Sequence, residues 1–168
     1  SDYSNLTFTL IHEFGHLLTL NTDQVVPSKV VLDHPDDGEI HDQEVSLCPN
    51  YFPGEGCSQT DSYINQFYQR FWTNIYDEWK RIDQTDDQEI YYEMLNDFHQ
   101  KYHGQFVSDY AATDPAEDIA ESWAYFILAP KPQGNTLADQ KVLFFYEHPE
   151  LVQLRQEILS RLCTNFPQ

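Results

Sequence analysis

Residues 12–16 read His12-Glu13-Phe14-Gly15-His16, an H-E-x-x-H pentad. On an α-helix, positions i and i+4 share a face one turn apart, so the two imidazoles can converge on one divalent cation. For Zn²⁺ each ligand nitrogen lies about 2.0–2.1 Å from the metal. Glu13 is rotated away from that pair but can reach a water held at the metal's open position, where a general base for hydrolysis must stand. With 7 histidines in the chain, such a pentad arises by chance in about 2% of comparable sequences, so coincidence is a weak explanation. A solvated polar helix face is the plain alternative. It competes poorly, because Phe14, Leu17 and Leu18 surround the pair with apolar groups.

A metal bound in this way needs a third protein ligand. The extended pattern H-E-x-x-H-x-x-G-x-x-H would place Gly at 19 and His at 22, but the chain has Thr19 and Thr22 there. What remains is a carboxylate from a later helix. The segment Asp114-Pro115-Ala116-Glu117-Asp118-Ile119-Ala120-Glu121-Ser122-Trp123 sets Glu117 and Glu121 at i and i+4, with Ile119, Ala120, Trp123 and Phe126 available for packing. Two bare carboxylates on a partly apolar face are costly to bury, and a cation between or beside them removes that cost. Glu117 also has a purely structural reading. With Asp114 as N-cap and Pro115 at N1, it sits at the N3 position of a capping box. Gly15 costs a helix about 1 kcal/mol relative to Ala. Close approach of another element, or of a substrate, would account for it.

With H-E-F-G-H followed by Ser108-Asp109-Tyr110-Ala111-Ala112-Thr113-Asp114-Pro115-Ala116-Glu117-Asp118-Ile119-Ala120-Glu121, the chain resembles the gluzincin metallopeptidases. It is most similar to the catalytic domain of anthrax lethal factor and related bacterial zinc peptidases. The resemblance implies that His12, His16 and Glu117 bind Zn²⁺ and that Glu121 orients His12 or His16 from behind. It also implies that Tyr110 donates to the oxyanion while Glu13 acts as general base. The implied reaction is hydrolysis of a peptide or protein substrate. The family places a sheet before its H-E-x-x-H helix, and the edge strand of that sheet pairs with the substrate backbone. Only 11 residues precede His12, so the expectation is a fragment lacking that sheet or a pared-down version of the fold.

The elements that position these residues follow from periodicity. Leu6, Leu10, Phe14, Leu17 and Leu18 predict a helix over 4–20, capped by Ser4 or Asn5. Residues 25–32 are β-branched and interrupted by Pro27, which predicts a short strand pair or hairpin. A helical stripe runs over 61–82 through Ile64, Phe67, Phe71, Trp72, Ile75 and Trp79. A second spans 86–102, with Ile90, Tyr91, Met94, Leu95 and Phe98 facing inward. Further helices are predicted from Asp114 to before Pro130, over 136–147 and over 149–163. The fold class is therefore mainly α with little β, in one domain over 1–168; the resemblance implies that this domain is metallopeptidase-like.

Composition narrows the partners. There are 9 Lys+Arg against 28 Asp+Glu, a formal charge of −19, which disfavours nucleic acid and anionic lipid. No apolar run approaches the length of a membrane span, and the chain is expected to be a monomer. Cys48 and Cys57 bracket a turn-rich loop suited to a disulfide, which points to an extracellular or cell-surface location and leaves Cys163 over. Asp33–Glu44 matches an EF-hand loop at several positions, but Pro35 stands where an oxygen ligand is needed, so a solvated acidic loop is favoured over a Ca²⁺ site. His99 and His103 repeat the i, i+4 spacing without a glutamate base and fit a surface face. Two rivals to a zinc peptidase stand open. One is a non-catalytic metallopeptidase-like binding module with structural zinc or none, for which His99 or His103 would supply a fourth ligand. The other is a Ca²⁺-stabilised adhesion domain.

Overall fold

Two helices that carry the H-E-x-x-H and the later glutamates lie against each other at the centre of the structure. The computed structural model describes residues 2–165, with side chains from 5 to 162. The element order is α1 (Asp2–Leu20), β1 (Val25–Pro27), α2 (Lys29–Asp33), α3 (Gly38–Leu47), β2 (Gly56–Ser58), α4 (Tyr63–Phe71), α5 (Tyr76–Asp83), α6 (Gln88–Lys101), α7 (Pro115–Leu128), α8 (Leu137–Tyr146) and α9 (Pro149–Asn165). Single 3₁₀ turns occupy His103–Gln105 and Tyr110–Ala112. The fold is mainly α with one two-stranded antiparallel sheet, as the sequence predicts. Its register pairs Val25 with Ser58, Val26 with Cys57 and Pro27 with Gly56. The partner of the first strand thus comes from the cysteine loop, and residues 29–33 are helical rather than a returning strand.

Helix α7 is the axis of the fold. Asp114 is extended and its carboxylate accepts the Ala116 N–H at 2.6 Å, while Pro115 opens the helix at a position that needs no donor. Ile119, Ala120, Trp123, Ala124, Phe126 and Ile127 are all fully buried. A helix apolar on nearly every side belongs inside a bundle, and α7 packs on α1, α4, α8 and α9. Its closest partner is α1, and Gly15 makes that approach possible. A Cβ there would lie 2.9 Å from Trp123 Cδ1 and 3.2 Å from Ala120 Cα.

The face that α1 presents to α7 differs from the one its apolar period suggests. Ile11, His12, Gly15 and Thr19 are buried, whereas Leu10 is 61% and Leu17 71% exposed, with Leu6 and Phe14 also exposed. Small and polar residues pack here because the helices approach so closely. Phe14, Leu17 and Leu18 therefore do not enclose the histidine pair as expected; only Leu18 packs against the core.

Other boundaries shift for local reasons. The stripe over 61–82 is two helices, broken at Trp72–Ile75 where the β-branched Thr73 and the turn-forming Asn74 lie exposed. On α6 only Phe98 is fully buried. Tyr91 and Leu95 pack at the edge of the core, and Ile90 and Met94 face outward. Residues 33–44 are not the continuous acidic loop expected, because Asp37 caps α3 and the second half of the segment is helix. Cys48 and Cys57 are joined in a disulfide, as expected; the side chain of Cys163 lies outside the described residues. No helix among them is long and apolar enough to cross a membrane.

Behind the glutamates, α8 is pinned to α7 by a fully buried ion pair. Lys141 Nζ meets Asp118 Oδ2, which also accepts the Trp72 indole N–H at 2.8 Å, and the ammonium lies 4.1 Å from the Phe106 ring centroid. Burial pushes the Asp118 carboxyl up to about 6 against the opposing pull of Lys141.

Candidate metal centre

His12 and His16 project from successive turns of α1 towards Glu117 on the first turn of α7. His12 Nε2 lies 3.1 Å from His16 Nε2 and 3.1 Å from Glu117 Oε2, and His16 Nε2 lies 3.2 Å from that same oxygen. Four ligands arranged tetrahedrally at zinc distances stand about 3.3 Å apart. The three atoms therefore form a nearly equilateral face of the size a small tetrahedral ion requires. Among the described residues, this is the one set of three histidine, cysteine or acidic side chains whose ligand atoms close to within 4.8 Å. The group could hold a metal ion. Glu117 thus turns to the histidines rather than back to the Asp114 cap.

The outer nitrogen of His12 is also committed. Nδ1 donates to Glu121 Oε1 at 2.8 Å, and the other Glu121 oxygen accepts from Ser108 Oγ at 2.6 Å. With Nδ1 protonated, Nε2 turns a lone pair towards the centre of the group. The Glu121 hydrogen bond raises the His12 pKa above its ordinary value, overcoming the opposing effect of burial, and the charges of Glu117 and Glu13 add to the rise. Burial pushes Glu121 up, yet its bonds from His12 and Ser108 win and hold it below the ordinary carboxyl range. His16 Nδ1 is buried without a hydrogen-bond partner among the described residues.

The two expected catalytic side chains flank the group. Glu13 is exposed on α1, and its charge is felt at both His12 and Tyr110. Tyr110 is 53% exposed on the 3₁₀ turn before α7, with its ring centroid 5.8 Å from that of His12. Partial burial and the adjacent Glu117 raise its hydroxyl pKa. All six residues singled out by sequence therefore gather in one place.

Ser108 was not among them, although it does two things here. It bonds Glu121, and its Oγ accepts the Ala111 N–H at 3.1 Å, fixing the turn that presents Tyr110. A serine three residues before a turn amide is the one local signal that marks it. His99 and His103 stay apart from the centre: His99 pairs with Asp109 at 3.2 Å, and His103 bonds the Gln100 carbonyl. Comparison with known proteins adds no relative, since no family model, curated protein or solved structure matches this chain.

Proposed function

We propose that the protein is a zinc-dependent metallopeptidase of the gluzincin type, acting on peptide or protein substrates. The observation that carries this reading is the triangle of His12 Nε2, His16 Nε2 and Glu117 Oε2 with edges of 3.1–3.2 Å. Glu121 stands behind His12, and Glu13 and Tyr110 stand at its rim. Zinc held by the three ligands would polarise the scissile carbonyl and acidify the attacking water. Glu13 takes that water's proton and delivers it to the leaving amine. Tyr110 donates its hydroxyl hydrogen to the developing oxyanion, a role suited to a phenol that stays protonated at neutral pH. Glu121 and Ser108 keep His12 in the tautomer that leaves Nε2 unprotonated. No fourth histidine, cysteine or acidic side chain joins the three among the described residues, which favours a catalytic site over a closed structural one. The Cys48–Cys57 disulfide supports an extracellular or cell-surface location.

The deciding experiment compares wild type with Glu13→Gln for zinc content and peptide hydrolysis. Both proteins should bind one zinc per chain, and the variant should lose at least about 100-fold in turnover. Wild-type cleavage by Glu13→Gln, or absence of zinc from both proteins, would sink the assignment.

A further inference from the structure

The outer face of α1, turned away from α7, is apolar and uncovered. Leu10 is 61% and Leu17 71% exposed, and Leu6 and Phe14 are exposed beside them. The three leucines stay outside the core and outside the side chains packed on it. The solvent face of a helix ordinarily carries charge. Here residues 5–22 include a single Asp, Glu, Lys or Arg, namely Glu13, although such residues make up 22% of the chain. A face left in water gains nothing by lacking charge, whereas one covered by apolar groups avoids burying any.

Glu13 ties this face to the metal centre. On a helix the surface neighbours of a residue stand three and four positions away, which for Glu13 are Thr9, Leu10, His16 and Leu17. Thr9 and His16 border it on the side of the metal centre, and Leu10 and Leu17 border it on the other. Glu13 thus stands on the boundary between the histidine face and the apolar face. Phe14 follows it on the apolar side, where its ring stacks on the fully buried Trp123, with centroids 6.1 Å and planes 29° apart. That contact holds the Phe14 ring in place. A bond attacked by water that Glu13 deprotonates lies over the boundary. A side chain next to that bond that turns away from the histidines meets Leu10, Phe14 or Leu17.

We propose that this face of α1 binds the substrate beside the bond that is cut, and that the substrate class is peptides with large aliphatic or aromatic residues there. Leu10, Phe14 and Leu17 are the specificity-determining residues. The choice of a reacting peptide as occupant rests on the peptidase reading and on the continuity of the face with Glu13; the apolar binding does not. A second copy of the chain is the rival occupant. Pairing through this face would bring together two chains of charge −19 and take Glu13 out of water at the join, which disfavours it.

The test titrates the whole chain by calorimetry with two blocked peptides, N-acetyl-Ala-Leu-Leu-Ala amide and N-acetyl-Ala-Ser-Ser-Ala amide. Wild type in chelator and Glu13→Gln in zinc are the two backgrounds, so that neither peptide is consumed. The leucine peptide should bind saturably in both, at least about tenfold more tightly than the serine peptide, as expected for partial burial of two leucine side chains. Leu10→Gln and Leu17→Gln, made in the same backgrounds, should each lower that affinity about 3–10-fold. They should leave serine-peptide affinity, zinc content and Tm unchanged, because both side chains are already solvated in the free protein. Leu47→Gln, at an exposed leucine of α3, should change nothing. Equal binding of the two peptides, no saturation with either, wild-type affinity in both leucine variants, or an equal loss in Leu47→Gln would overturn the proposal. So would a dimer in sedimentation velocity that Leu10→Gln and Leu17→Gln dissociate while peptide affinity stays. Leucine-peptide binding at this face by a chain that hydrolyses nothing would leave the face standing and remove the reaction. Hydrolysis of both peptides at one rate by wild type in zinc would do the reverse.

Discussion

His12 uses both of its ring nitrogens, one towards Glu121 and one towards Glu117 and His16. A proton and a bound metal ion would compete for that imidazole, so metal affinity should fall as pH drops through the His12 pKa. Glu121 sets where that happens, because its hydrogen bond is the main cause of the upward shift. In the metal-free protein, the stability gained from this raised pKa is fully present below the unfolded value of 6.5 and is lost as pH rises through the folded value. Glu121→Gln removes the anion that favours the imidazolium. The pH below which zinc affinity begins to fall should then move downward. At pH 7.5 the same variant should bind zinc about 10–100-fold more weakly, since a neutral amide no longer makes the ligand nitrogen as basic. Competition with a chromophoric chelator between pH 5 and 8 measures both quantities. If neither moved, Glu121 would have no orienting role.

The contact between α1 and α7 sets the geometry of the candidate metal centre, because His12 and His16 ride on one helix and Glu117 and Glu121 on the other. Gly15 fixes the spacing of the two. Alanine there favours an isolated helix by about 1 kcal/mol, yet its Cβ meets the fully buried Trp123 ring and the Ala120 backbone. Neither can retreat easily, so Gly15→Ala should destabilise the protein by about 1–3 kcal/mol and weaken zinc binding by separating the helices. Urea unfolding with paired zinc titrations checks this, and a variant as stable as wild type would show that the interface yields. The same interface shows what the sequence could and could not reveal. The two candidate ligand histidines were legible because i, i+4 spacing is a local property of the helix. The packed face of α1 was not. Leu6, Leu10, Phe14 and Leu17 give the conspicuous apolar period, but a tight crossing selects Gly15 and Thr19, and hydropathy does not register them. The break between α4 and α5 was hidden for a related reason, since Ile64 to Trp79 keep one apolar stripe through a turn made by Thr73 and Asn74. The Lys141–Asp118 pair and the Ser108–Glu121 bond depend on which helices meet, and no spacing along the chain states that.

At the scale of the whole molecule, the charge of −19 is unevenly compensated. Lys141 is spent on Asp118, and Arg70 and Lys101 pair with Glu147 and Glu78 at the surface. Glu13, Glu117 and Glu121 gather round two histidines, and among the described residues no lysine or arginine ion pair reaches them. A bound dication would offset much of that local repulsion, so metal and fold should be linked. A ligand that binds only the folded state at about 1,000 times its Kd adds about 4 kcal/mol. For a chain of this size each kcal/mol moves Tm by about 2–4 °C. Excess chelator should therefore lower Tm by about 8–16 °C. Salt separates the two parts of this effect. Lost coordination is insensitive to ionic strength, whereas repulsion among the uncovered carboxylates is screened over about 10 Å at 0.1 M. In chelator, raising the salt should recover part of the lost Tm, and in zinc it should change Tm less. A melting temperature unmoved by chelator would mean that these three carboxylates are tolerated without a cation, and the metal centre would lose its place in the stability of the fold.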